Sequence, residues 1–244
     1  MPRRAALITT LLLLGAAPLA GQDAPVHKPV STSLNLGLVN VAGNNSLTTL
    51  SGDERLTYVT ADSLWRAAQS LAAVYGRTDD STTASSFKVN GRVDRTLTGR
   101  LSAFAGAGWE RNRFAGIARR FEEIVGLAYQ LLALPSDELR VEGGASFTQQ
   151  RSTLDVDDNF VAARGAGAWK HLFTEKAYLQ QLVEVLPNLE EGDDLRINTE
   201  TALVAPLSDV IALKLSYAIR FDNLPEPGFE KTDRIFSSGV QVTF

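Results

Sequence analysis

Two histidines, no cysteine and a single methionine limit the chemistry open to this 244-residue chain. Thiol nucleophiles, disulfides, thiolate metal sites and a lipid-carrying cysteine are excluded outright. A hydroxyl nucleophile needs a base within hydrogen-bond reach of its proton. His27 precedes the patterned part of the chain, and His171 closes an alternating segment beside Trp169 and Lys170. We read His171 as an interfacial side chain and assign no catalytic residue and no cofactor. Acidic groups recur at Asp79–Asp80, at Asp155, Asp157 and Asp158, and at Glu190, Glu191, Asp193 and Asp194. Their spacing matches no calcium loop, so no metal site is assigned.

The remaining chemistry is charge on alternating segments. Where the alternation is clean, one polar face carries Lys88, Arg92, Asp94, Arg140, Glu142, Arg196, Glu200, Lys214, Arg220 and Asp222. Enclosed charges must pair or stay hydrated, because an isolated one is too costly. These ten residues are the candidates for lining a lumen, either as a salt-bridged plug or as the wall of a narrow, slightly basic pore.

Strands must position them. Twelve period-two segments follow residue 30, at about 33–42, 47–59, 63–76, 82–95, 100–112, 119–132, 138–151, 159–171, 177–187, 195–206, 210–222 and 233–244. In the segment 210–222, Ile211, Leu213, Leu215, Tyr217, Ile219 and Phe221 oppose Lys214, Ser216, Ala218, Arg220 and Asp222. Successive strand side chains point to opposite faces, so each such segment has one apolar and one polar side. The third and fifth segments fit either phase. Glu54 and Glu123 fall on the sides read as apolar. Short connections (60–62, 96–98, 134–137, 172–175, 207–209) alternate with generally longer polar ones (43–46, 77–81, 113–118, 152–158, 188–194, 223–232). That is the loop asymmetry of outer-membrane barrels.

The first twenty residues form an address. Arg3 and Arg4 precede an apolar stretch from Ala5 to Gly15 and a small-residue tail to Ala20. This is a secretory signal peptide, with cleavage expected between 20 and 24. Residues 21–31 form a periplasmic lead-in and 32–244 the barrel. Without Arg3 and Arg4, 22 basic face 28 acidic residues, a net charge of −6 that argues against nucleic acid. With 21% charged residues and one apolar run near membrane length, a polytopic helical membrane protein is excluded.

The expected fold is therefore an all-β, twelve-stranded, antiparallel up-and-down transmembrane barrel. A soluble periplasmic ligand-binding barrel would carry the same alternation turned inside out. Twelve strands, a heavily charged polar face and segments long enough for tilted membrane strands favour the outer membrane. Trp65, Tyr75, Trp109, Tyr129, Trp169, Tyr178 and Tyr217 suit interfacial girdles. Phe244 ends the final amphipathic strand, the position read by the barrel-assembly machinery.

Residues 109–117 (WERNRFAGI), 182–190 (LVEVLPNLE) and 216–228 (SYAIRFDNLPEPG), with Gly43–Ser46 and Lys231–Asp233, resemble the salt-induced outer-membrane protein family of Gram-negative bacteria. The likeness covers about residues 32–244. It implies an outer-membrane barrel of unknown activity and brings no catalytic residues. The expected role is envelope-structural or stress-related and not enzymatic, with a narrow channel for small solutes or ions as the alternative. The expected partners are outer-membrane lipid, lipopolysaccharide and the assembly machinery, with no nucleic acid.

Overall fold

The computed structural model of the chain describes residues 29–41, 47–78 and 81–243. The signal segment, most of the lead-in, the 43–46 turn, Asp79–Asp80 and Phe244 lie outside the described residues. Twelve strands follow one another: β1 (Val30–Val41), β2 (Leu47–Val59), β3 (Trp65–Thr78), β4 (Ser81–Thr96), β5 (Leu101–Asn112), β6 (Ile117–Ala133), β7 (Asp137–Ser152), β8 (Asp157–Leu172), β9 (Tyr178–Pro187), β10 (Leu195–Pro206), β11 (Ile211–Asp222) and β12 (Thr232–Thr243). Each pairs antiparallel with its chain neighbours, and β12 returns to β1 to close the ring. Closure removes the free sheet edges that hydrocarbon could not solvate.

The barrel is apolar outside and charged inside. Val125 is 60% and Phe236 69% exposed on the outer wall, whereas Asp94 and Arg196 are each only 6% exposed. A soluble ligand barrel would show the reverse. The register settles the segments of open phase. Asp94 lies opposite Phe104, so Phe104 faces inward while Ala103, Ala105, Ala107 and Trp109 face out. On β3 the outward set is Trp65, Ala67, Gln69, Leu71, Ala73 and Tyr75. Glu54 and Glu123 do sit on the outer face. Of the aromatics, Tyr178 turns inward opposite Val204 and under Lys170, 4.5 Å from its ring centroid, and Tyr217 sits mid-strand, so neither belongs to a girdle.

One expectation about the loops is corrected. The connections at 77–81, 113–118 and 152–158 shrink to 79–80, 113–116 and 153–156, because β3, β4 and β6 to β8 run further than the alternation suggested. Polar side chains can continue a strand once it has left the hydrocarbon layer, so polarity there did not mean loop. The 113–116 connection is a 3₁₀ turn over Arg113–Ala115, ended by Gly116 at φ 74°. Among the described connections only 188–194 and 223–231 are long. Among the described residues the seam is the least extensive pairing: Ser33–Leu36 of β1 register with Val240–Thr243 of β12.

Candidate functional site

The charged interior is the candidate site. Alternation puts residues i and i+2 on one face, so Arg92 and Asp94 leave β4 together and Arg140 and Glu142 leave β7 together. Between them lie β5 and β6, whose inward residues at this level include Gly106, Gly126 and Ala128. Their small size lets long side chains cross two strands. Arg92 Nη1 donates to Glu142 Oε2 at 2.9 Å and Nη2 to Oε1 at 2.7 Å, while Nε and Nη2 reach Asp94 at 2.9 and 2.8 Å. Arg140 donates from Nε to Glu142 at 3.1 Å and from Nη2 to Asp94. Arg164 of β8 adds a bond to Glu142 at 2.8 Å and one to Glu184 of β9 at 2.7 Å. Asn198 of β10 donates to the other oxygen of Glu184 at 3.0 Å.

Phe104 forms the floor of this knot. Its ring lies against Gly126, where a Cβ would stand 2.8 Å from Cζ. The guanidinium of Arg92 sits 3.9 Å above the ring centroid. A desolvated guanidinium over an aromatic face is held by the ring quadrupole as well as by its carboxylates.

A second tie lies nearer the loop end. Glu110 of β5, 6% exposed, accepts from Arg220 of β11 at 3.1 Å and faces Lys88 of β4 at 3.7 Å. β5 and β11 stand six strands apart whichever way the ring is counted. Their contact therefore spans the whole interior. The 223–231 loop leans over the same region: Gln150 donates to Glu226 at 3.1 Å, and Glu226 and Phe229 pack against Gly116. Arg196 donates to Thr148 at 3.4 Å and covers Phe160 at 4.7 Å. Lys214 lies 3.5 Å from Asp53 and 3.8 Å from Glu200. Asp222 accepts from the Leu224 N–H at 3.0 Å and so holds the start of the loop.

All ten candidate residues thus occupy inward register positions. The structure gathers Arg92, Asp94, Arg140 and Glu142 into one knot, sends Lys88 and Arg220 to Glu110, and leaves Arg196, opposite Asp222, and the Lys214–Glu200 pair outside both. Sequence reasoning missed Glu110, Arg164, Glu184 and Phe104. Glu110 was legible only with the phase of β5. Arg164 sits among alanines and glycines whose two faces look alike.

His171 stands on the outer wall with Nδ1 2.9 Å from Asp137 Oδ1, stacked on Trp169 and edge-on to Phe173. Ser136 donates to Asp137 at 2.8 Å and not to the imidazole, so these three groups form no nucleophile–base relay. Among the described residues, no three His or carboxylate groups are arranged to hold a metal ion.

Residues 34–244 match a protein family described as "Protein of unknown function, DUF481". The chain belongs to that family. It is 26% identical over 215 residues to the uncharacterized protein YdiY of Escherichia coli (strain K12), covering 86% of this chain and 82% of that one. Among solved structures it resembles an outer-membrane channel from Pseudomonas putida F1, with a TM-score of 0.51 and 12% identity over 91% of this chain and all of that one. The translocator domain of the autotransporter NalP from Neisseria meningitidis aligns with a TM-score of 0.47 and 14% identity, over 88% of this chain and 86% of that domain. The Pseudomonas channel is an outer-membrane protein, and the likeness at this identity is one of fold.

Proposed function

We propose that this DUF481 member is a non-catalytic outer-membrane barrel, exported by a signal peptide cut between residues 20 and 24, that serves the envelope as a closed structural element. The turn end then faces the periplasm, and Phe244 is the assembly signal. The observation that carries the reading is the Glu110–Arg220 pair between opposite walls, backed by the Arg92–Glu142 knot. Fixed ion pairs that bridge a lumen stiffen a barrel and narrow the path open to ions.

The test is conductance in a planar bilayer. Wild type is expected to pass no steady current, and Glu110→Ala with Arg220→Ala to raise the baseline. A steady wild-type current would overturn the closed reading in favour of a narrow channel. One feature favours that second reading: the inward faces of β1, β2, β11 and β12 carry small residues such as Ser33, Ser51, Ser216, Ser237 and Gly239. The likeness to a channel at a TM-score of 0.51 is consistent with it. The ten charged residues named above would then line the pathway, and Arg92→Glu or Arg140→Glu should change its ion preference. The resemblance to the salt-induced family makes growth in high salt the condition for comparing a deletion strain with its parent.

A further inference from the structure

Among the inward arginines of the turn-end half, Arg55 of β2 and Arg66 of β3 join no ion pair, whereas Arg92 and Arg140 do. Both occupy inward positions in the turn-end half, Arg55 opposite Ser33 and Ser70, Arg66 opposite Val59 and Asp94. Both are exposed to water, unlike the half-buried arginines of the knot. Among the described residues neither forms an ion pair. The nearby carboxylates are already taken: Asp94 by Arg92 and Arg140, Glu142 by Arg92, Arg140 and Arg164, and Asp53 by Asn35 and Lys214. Arg66 stands opposite Asp94 on β4 without bonding it, and Arg140, Arg55 and Arg92 are the other charges around it. From Arg66 the inward face of β3 continues through the small side chains of Ala68, Ser70 and Ala72.

Two unmatched, water-reachable guanidiniums inside a low-dielectric wall make a site for negative charge. A guanidinium fork matches two oxygens of one oxyanion, which a spherical halide cannot supply. We propose that Arg55 and Arg66 bind a small, doubly charged oxyanion, with inorganic phosphate as its simplest representative, entering from the turn end. The site rests on the reading of a barrel with an aqueous turn-end mouth and is independent of whether the lumen conducts. A closed barrel can bind phosphate, and a conducting one can fail to.

The test is calorimetric titration of the full chain in detergent at constant ionic strength, with phosphate, sulfate and acetate as probes. Phosphate and sulfate should each saturate one site per chain, with acetate at least tenfold weaker. Arg55→Ser with Arg66→Ser should weaken phosphate at least tenfold, while Arg111→Ser, on the outer face, should leave it unchanged. Arg55→Lys with Arg66→Lys keeps the charge and removes the forks, and should fall between. Heat-modifiable migration on gels reports whether each variant has folded. The assignment is overturned if wild type gives no saturable phosphate binding, or if either folded double variant binds as tightly as wild type.

Discussion

Glu142 is the residue on which the interior turns. Its two oxygens accept from Arg92, Arg140 and Arg164, and no other carboxylate in the described interior joins three arginines. Glu142→Gln would leave three guanidiniums around a neutral amide. Breaking one partner of a largely buried ion pair costs about 3–5 kcal/mol, because the remaining charge keeps its desolvation penalty. We therefore expect Glu142→Gln to unfold at clearly lower urea concentration than wild type in detergent, measured by heat-modifiable migration. Lys176→Ala is the control. Its partner Asp209 is 96% exposed, and water and salt screen such a pair, so no measurable change is expected. The Thr60 hydroxyl and then the Leu64 N–H hold the Asp62 carboxyl below the usual carboxylate range, and Lys176 does so for Asp209. The ionised Asp62 carboxyl stabilises its turn through these bonds, and that contribution is lost as pH falls through its lowered pKa. Thr60→Val should move the Asp62 titration back up toward its ordinary value, as read from its carboxyl carbon signal by NMR.

At the scale of the strand, packing is set by which neighbours are small. Phe104 can lie flat because β6 places Gly126 beneath it. Gly126→Val would push the ring toward Arg92, an overpacking that costs about 1–3 kcal/mol. It should lower the urea midpoint, whereas Gly165→Ala, with open space beyond it, should not. These local relations explain what the sequence disclosed. β4, β7 and β11 alternate cleanly, and their inward charges were legible from spacing alone. β5 was not, because Phe104 points inward while the outer face mixes Leu101 and Trp109 with three alanines. A side chain's face follows from period two. Its partner across the lumen depends on how the ring closes, and no local pattern contains that. Arg220 and Glu110 are 110 residues apart in the chain and meet only because β12 returns to β1.

The whole molecule is a belt of apolar side chains around a charged interior, and its natural solvent is lipid. Val125 is 60% exposed near the middle of β6. Val125→Arg should destabilise the barrel in bilayers by about 2–4 kcal/mol, the range for a cation at the midplane of a barrel's lipid face. Measured in short-chain detergent, where the arginine can reach water, the loss should be smaller. The ring is not equally strong all the way round. Its two ends meet over Ser33–Leu36 and Val240–Thr243, while β6 and β7 pair from Ile117 to Ala133. Local opening begins where the fewest bonds must break together. Deuterium should therefore enter at the seam amides first, and a molecule pulled from its carboxyl terminus should peel β12 away before any other strand yields. The lifetime of the assembled barrel is then set by its last strand, long after folding is complete.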